Sequence, residues 1–308
     1  MKFNRRAKLD ASQVSDQRGR GKTGAAAAGG LGGLGIIGVI IMMFLGGGGD
    51  GGAGGLGLGG QTGGDTANAQ PSEADEANIG QTCRTGADAN SNDDCRLVAT
   101  INSIQSFWIT TFDGADLTYE VVVTNWFTDD VNTGGCGSAT SAVDPFYCPA
   151  DKEVYVDLGF FDDLVRRFGA NRGDFAEAYI LGREYGHHVQ NLLGISSRVQ
   201  RGESGPESDA VRLELQADCF ADAWANHATT TPDESGQPYI LELSQQDVRD
   251  ALSAVAAVGD DRIQKNATGR VDPHSFTHGT SEQREDWFMR GFRTGDVNEC
   301  DTFAASDL

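Results

Sequence analysis

The segment from Asp174 to Gly194 is the sequence feature that most constrains the fold, because it carries signals for both ends of a helix. Asp174 is a favourable N-cap residue, and Glu177 stands three positions later, at capping-box spacing. Gly194 is a natural stop for a helix. The segment therefore predicts a helix over residues 175–193.

This predicted helix contains the sequence Arg183–Glu184–Tyr185–Gly186–His187. Zinc peptidases use His-Glu-x-x-His here, because residues four apart share one helix face and both imidazoles reach one metal ion. The intervening glutamate handles the proton of the bound water. In this chain Arg183 occupies the first histidine position, and a guanidinium has no lone pair with which to bind zinc.

A second helix is predicted from near Pro206 to before Pro232, and it carries Glu214–Leu215–Gln216–Ala217–Asp218. In one large group of zinc peptidases, Glu-x-x-x-Asp on a downstream helix completes the site. Glu214 would bind the metal. Asp218 would accept the second imidazole N–H of a ligand histidine and fix its tautomer.

Several blocks of the chain, in the same order, resemble the neutral zinc metallopeptidases of bacteria, which are single-pass envelope proteins with a zincin-like catalytic domain. The resemblance covers the basic start with its apolar segment, Cys136–Ala139, Pro145–Pro149, Ala178–Gln190, Glu214–Cys219 and His278–Ser281. It implies a zinc-dependent peptidase fold that acts on a peptide or protein. Asp144, where the family often has glycine, is a small local departure.

The resemblance implies that His187 and Glu214 hold Zn²⁺, that Glu184 is the general base, and that His278 stabilises the oxyanion or approaches the metal. Catalytic zinc normally has three protein ligands plus water, and here Arg183 leaves two. We therefore expect impaired or absent zinc-dependent peptide hydrolysis. In a substitute arrangement, Arg183 pairs with Glu184, Glu214 or both.

Three functions stay open on the sequence alone. The chain is an active envelope metalloendopeptidase with a degenerate zinc site, or a pseudoprotease that binds peptides or proteins, for example by strand addition, without cutting them. A purely structural anchored domain would leave Glu184, His187, Glu214 and Asp218 unexplained.

The N-terminal region predicts a membrane anchor. Residues 1–22 contain seven Lys or Arg against two Asp, in a chain of net charge −21. The uncharged segment Ala25–Leu45 would reach roughly 31 Å as a helix, enough to cross a bilayer. The positive-inside rule then keeps the N-terminus cytoplasmic and places the rest outside the cell membrane. A cleaved signal peptide and a buried core helix are weaker alternatives.

The remaining, acidic bulk of the chain repels phosphate backbones, so nucleic-acid binding is not expected. The predicted divisions are a basic cytoplasmic N-terminus (1–24), a transmembrane signal anchor (25–45), a flexible Gly-rich linker (46–81), a peptidase domain (82–303) and a C-terminal tail (304–308). The predicted fold class is α+β, a mostly helical zincin-like domain with a small β-sheet.

Six cysteines all follow the apolar segment, which suits three disulfides in an oxidising exterior. Sequence proximity favours the pairs Cys83–Cys95, Cys136–Cys148 and Cys219–Cys300, among 15 possible pairings. Cysteine-bound zinc would require a Cys-x-x-Cys pair that the chain lacks.

Further elements follow from periodicity and caps. Helices are predicted over residues 94–111, from Ser244 to Val258 and from Thr280 to Gly295, and strands over residues 119–124 and 153–158. His188, His227 and His274 are interpreted as structural or exposed. The pairs Asp129–Asp130 and Asp260–Asp261 are interpreted as solvated turns or helix starts.

Overall fold

A computed structural model describes residues 1–19, 73–200 and 202–308. The predicted anchor at 25–45 and most of the predicted linker lie outside the described residues. Within the described part of the chain, no helix is long and apolar enough to cross a membrane.

The helices are α1 (Glu73–Thr82), α2 (Gly86–Ala89), α3 (Asp93–Asp113), α4 (Phe160–Arg166), α5 (Asp174–Leu192), α6 (Asp209–His227), α7 (Gln245–Ala257), α8 (Asp260–Thr268) and α9 (Ser281–Thr294). Helix α1 corrects the end of the predicted linker, because its residues are helical and not a flexible stalk. Its C-terminal half buries Ile79.

The strands are β1 (Lys2–Phe3), β2 (Val14–Asp16), β3 (Thr124–Phe127), β4 (Asp130–Asn132), β5 (Ser138–Thr140), β6 (Phe146–Cys148), β7 (Glu153–Asp157) and β8 (Ile240–Glu242). The main sheet has the order β2-β3-β7-β6. Its first three strands are parallel, and β6 lies antiparallel at the edge. Two short antiparallel pairs, β1–β8 and β4–β5, complete an α+β fold with small sheets, as predicted.

Small residues bring the two long central helices, α5 and α6, into close contact. A Cβ placed on Gly186 would lie 3.0 Å from the carbonyl oxygen of Ala217, and one on Gly182 would lie 3.1 Å from Cβ of Ala221. Helix α9 packs on the other side of α6, where Gly291 faces the backbone of Cys219 with no room for a side chain. These contacts fix the spacing of the helices that carry the candidate site.

Two predicted caps are confirmed. Ser244 and Asp247 form a capping box at the start of α7, and Thr280 and Gln283 form another at the start of α9. The predicted cap of α5 was wrong by one residue. Gly173 is the N-cap, and the Asp174 carboxylate is 3.4 Å from the Arg96 guanidinium of α3.

The strand predicted over residues 119–124 begins later, at Thr124. Upstream, the backbone of Val122 bonds to a side chain of helix α3. Its N–H donates to Oε1 of Gln105 at 2.8 Å, and its carbonyl accepts from Nε2 of the same residue at 3.0 Å. Because both backbone groups are engaged by one amide side chain, this residue does not join the strand ladder.

The three predicted disulfides are confirmed as Cys83–Cys95, Cys136–Cys148 and Cys219–Cys300. The first joins the end of α1 to α3. The second lies beside β6, close to the candidate site. The third ties α6 to the segment that follows α9.

Residues 1–19 also belong to the folded body, although the predicted domain boundary at residue 82 leaves them out. β1 pairs with β8, and β2 is an edge strand of the main sheet. Phe3, Ala7 and Val14 are almost completely buried in the same core as the helices.

Candidate active site

Helices α5 and α6 place the predicted residues together in the protein interior. The Nη1 atom of Arg183 lies 2.5 Å from Oε1 of Glu184, and its Nη2 atom donates to Oε2 of Glu214. The hypothesis that Arg183 pairs with both carboxylates is confirmed. Arg183 is 8% exposed as a residue, so its guanidinium has little contact with solvent where it lies between the two acids.

Each carboxylate oxygen of Glu184 has a hydrogen-bond donor. One carboxylate oxygen faces Arg183, and the other accepts the backbone N–H of Tyr147, in edge strand β6, at 3.0 Å. Burial raises the pKa of Glu184 above its ordinary value, although Arg183 acts in the opposite direction.

Glu214 and His187 face each other across the gap between the helices. Oε2 of Glu214 lies 3.6 Å from Nε2 of His187. Burial acts to raise the pKa of Glu214, but Arg183 and then His187 outweigh it, and the pKa lies well below its usual range. Glu214 is therefore a carboxylate in the folded protein.

The partner of the other imidazole nitrogen was not foreseen. Nδ1 of His187 lies 2.9 Å from Oε1 of Gln190, one turn along the same helix. Gln190 donates in turn to the Leu213 carbonyl at 2.7 Å and to Gln216 at 3.1 Å. An amide bridging α5 and α6 thus orients the ring.

Asp218 has different partners from the predicted one. Instead of an imidazole N–H, its carboxylate accepts from the Tyr179 hydroxyl at 2.5 Å and from Nε and Nη2 of Arg284 at 2.8 and 2.9 Å. Arg284 comes from α9, and nothing in the motif spacing pointed to it. Nε of Arg183 is 3.8 Å from Asp218, beyond hydrogen-bond reach.

His278 lies in the loop before α9 and is held by Asp260. The Asp260 carboxylate accepts the backbone N–H groups of Thr277, His278 and Gly279 at 2.7, 2.7 and 3.2 Å, and its other oxygen is 3.4 Å from Nδ1 of His278. Burial lowers the pKa of His278, but Glu214 and Asp260 raise it more. Of the two predicted alternatives for Asp260, a solvated turn or a helix start, the helix start is confirmed, because Asp260 begins α8 and its side chain is buried.

A small cavity lies beside Arg183, Glu184 and His278. It has a volume of about 30 Å³, and Arg183, Glu184, His278, Asp144 and Pro145 line part of its wall. This is room for about one water molecule, far below the few hundred Å³ of a ligand pocket. Burial raises the pKa of Asp144 to about 6, against the opposing effects of His278 and Arg183. Asp144 and Arg183, the two positions where the sequence resemblance implies a departure from the family pattern, both line this cavity.

The other histidines are structural or exposed, as predicted. Nδ1 of His188 is 3.1 Å from the Tyr147 hydroxyl, and its Nε2 is 2.8 Å from the Glu120 carbonyl. Burial lowers the pKa of His188 to about 4. His227 lies 3.0 Å from the Gly295 carbonyl, and His274 is on the surface.

The residues present do not fit a catalytic zinc ion as they stand. His187 and Glu214 are two donors, and the third position holds a cation. In the described residues, no group of three His, Cys, Asp or Glu side chains is placed to hold a metal. Catalytic zinc normally needs three such ligands and a water.

A helix with Glu-x-x-His packed against a helix with Glu-x-x-x-Asp is the arrangement that the sequence motifs predict for a metallopeptidase, and Arg183 stands at the position predicted for the first ligand. The chain belongs to the family described as "Putative neutral zinc metallopeptidase", whose model matches residues 1–303. This confirms the resemblance seen in the sequence.

Among its relatives, an uncharacterized protein of Mycobacterium tuberculosis H37Rv is 52% identical over 227 residues, 73% of this chain and 76% of that protein. An uncharacterized protein of Escherichia coli K12, YpfJ, is 48% identical over 177 residues, 56% of this chain and 58% of its own length. No solved structure gives a significant match.

Proposed function

We propose that this protein is a zincin-like family member in which an internal ion-pair cluster replaces the metal, so that zinc-dependent peptide hydrolysis is lost. The observation that carries the proposal is the position of Arg183. Its guanidinium contacts both Glu184, the expected base, and Glu214, the expected ligand.

The electrostatics support this assignment. A carboxylate pair buried between two helices needs a nearby positive charge, which zinc supplies in an active peptidase. Arg183 supplies it here as part of the chain. Each oxygen of the Glu184 carboxylate already accepts a hydrogen bond, one from Arg183 and one from the Tyr147 N–H, so a water molecule would compete with these partners for the base.

The family supports a peptide or protein as the ligand class. We propose that the protein acts as a pseudoprotease that binds such a partner without cutting it. The three disulfides support an oxidising, extracytoplasmic location for the folded body. In this proposal residues 25–45 attach the body to the cell membrane, and the acidic charge excludes nucleic acid as a partner.

Zinc content of the purified full chain tests the proposal. The wild type should contain no stoichiometric zinc and should not cleave an unstructured protein such as casein. Arg183→His should gain zinc, because it restores the third ligand. A matched control, Arg183→His with His187→Ala, should lose that gain.

Stoichiometric zinc in the wild type, with cleavage that a chelator abolishes, would overturn the proposal. A failure of Arg183→His to gain zinc would show that Arg183 is not what keeps the metal out.

An active peptidase with a degenerate site is the second candidate, and the place of His278 favours it. This imidazole lines the same cavity as Arg183 and Glu184. A third ligand would require Arg183 to turn away and His278 to move toward His187 and Glu214, because in the described residues these side chains are not grouped to hold a metal. Under this alternative, the wild type binds zinc and His278→Ala loses it.

A further inference from the structure

The N-terminal segment, residues 1–19, is called the arm below. Its strand β2 pairs in parallel with β3, with Ser15 opposite Asn125 and Asp16 opposite Trp126. The arm therefore contributes one of the four strands of the main sheet. Strand pairing places its backbone in direct contact with the body.

Side chains of α3 hold the backbone of the arm. Asn102 Oδ1 accepts the N–H of Asp10 at 2.8 Å, and Asn102 Nδ2 donates to the carbonyl of the same residue at 2.9 Å. Gln105 donates to Oε1 of Gln13 at 2.9 Å. Asn102 and Gln105 are both buried. If the arm were absent, their amide groups would lose hydrogen-bond partners. Water could replace these partners only if the core opened.

An ion pair between Arg18 and Asp94 holds the last part of the arm. Nη2 and Nη1 of Arg18 lie 2.7 and 3.2 Å from the two carboxylate oxygens of Asp94, at the start of α3. The same guanidinium lies over the ring of Trp126, 5.0 Å from its centroid. A bidentate pair stacked on an aromatic ring is a specific contact and not a loose surface attraction.

The chain returns to the body beside the arm. Helix α1 packs against β2 and against the 3₁₀ turn at Ala11–Gln13. The described residues on either side of 20–72, a range that contains the apolar segment Ala25–Leu45, thus belong to one folded body. The family model also starts at residue 1, so the arm belongs to what the family shares.

A single crossing of a bilayer by Ala25–Leu45 would separate the arm from the body. The chain would then need a second crossing to bring them together. Residues 46–72 are glycine-rich and polar, and they contain no run of about 20 apolar residues to make it. A docked arm and a single-pass anchor with a cytoplasmic N-terminus therefore exclude each other.

We infer that the arm and the folded body lie on the same side of the membrane. This inference revises the predicted cytoplasmic N-terminus. It does not depend on whether zinc binds or peptides are cleaved.

Thiol labelling of the full chain tests it. Ser12 on the arm and Ser306 near the C-terminus are both exposed. Each is changed to cysteine separately in the membrane-bound protein in spheroplasts, and a membrane-impermeant maleimide is added. Ser12→Cys should be labelled to the same extent as Ser306→Cys. Labelling of Ser12→Cys only after the membrane is dissolved would overturn the inference.

A double variant, Ser15→Cys with Asn125→Cys, tests the pairing itself. Neighbouring strands bring opposed Cα atoms within the range that a disulfide bridges. The two cysteines should form a bond in the cell, seen by mass spectrometry of peptides. Ser15→Cys with Ser306→Cys, which are not strand partners, should form none.

Absence of the 15–125 bond in folded protein would count against the inference. Asn125 also bonds Gln17 and Glu153, so its replacement weakens other contacts. The labelling experiment leaves those contacts intact and decides the question if the double variant does not fold.

Discussion

Two buried arginines within the same helix assembly have very different surroundings. Arg284 uses all three of its nitrogens, with two bonds to Asp218, one to the Tyr179 hydroxyl at 2.9 Å and one to the Val258 carbonyl at 2.9 Å. Arg183 bonds two carboxylates through its terminal nitrogens, while its buried Nε has no hydrogen-bond partner among the described residues.

The difference distinguishes an arginine that holds the helix assembly together, Arg284, from one that occupies the candidate active site, Arg183. Arg284 joins α9 to α5, α6 and the end of α7, and each of its bonds is explained by that role. Arg183 lines the same cavity as Arg284, but it stands at the position where the motif predicts a metal ligand. A fully bonded guanidinium indicates a structural role, and in our proposal the incompletely bonded one takes the place of a metal ion.

Arg284→Met should have the largest effect on stability. It leaves Asp218 as a buried carboxylate with only the Tyr179 hydroxyl, and loss of one partner from a buried ion pair costs about 3–5 kcal/mol. Urea unfolding of the full chain measures it. Arg290→Met, on the exposed face of the same helix, is the control and should cost much less. A cost as small as that of the control would show that Arg284 does not stabilise the helix assembly.

Arg183→Met should cost about 3 kcal/mol of unfolding free energy, because Glu214 then keeps a buried charge. The cost should be somewhat below that of Arg284→Met, since the adjoining cavity admits water. Adding Glu214→Gln should recover part of the lost unfolding free energy. The double-mutant cycle then gives the coupling free energy between residues 183 and 214. Full additivity of the two changes would mean that the pair contributes nothing, and Arg172→Met at the surface is the control.

Asp144→Asn tests the cavity through pH. The pKa of Asp144 is raised from 3.8 to about 6, so the folded state holds its proton more tightly than the unfolded state. The resulting stabilisation is complete below pH 3.8 and is lost as pH rises through 6. The side chain is only partly buried, so we expect about 2 kcal/mol.

The measurement is the unfolding free energy of both proteins across this range. Asp144→Asn should be more stable than the wild type by that amount at pH 8, and the advantage should disappear toward pH 4. Asp130→Asn, at an exposed site, should show no such crossover. A constant difference at all pH values would show that Asp144 is not desolvated.

Tyr179→Phe should have the smallest effect, about 1–2 kcal/mol, because it removes a buried hydroxyl that bonds the charged Asp218 and Arg284. Tyr185→Phe is a matched control on the same helix, since its hydroxyl bonds only the neutral Thr124. Thermal unfolding should show a larger loss for residue 179. Equal losses would mean that the Asp218–Arg284 pair does not depend on the hydroxyl.

The sequence predicted those parts of the molecule that depend on short spacing. Capping boxes at Ser244 and Thr280 need only residues three apart, and the site residues on α5 and α6 follow from helical periodicity. The disulfides followed from sequence proximity, and two of them close short loops.

Contacts between distant segments were not predictable in this way. The backbone donors that hold Asp260 come 17–19 residues later, and Arg284 reaches Asp218 from a helix 66 residues away. Strand β2 has three residues, and only its pairing with β3 makes it a strand. A local pattern carries no signal for partners that the fold brings together.

The glycine contacts between α5 and α6 make the scaffold independent of the side chain at position 183. Gly182 and Gly186 keep the two helix backbones at a fixed distance, whatever residue stands there. Arginine and histidine can therefore be exchanged at this position without rebuilding the helix pair around it.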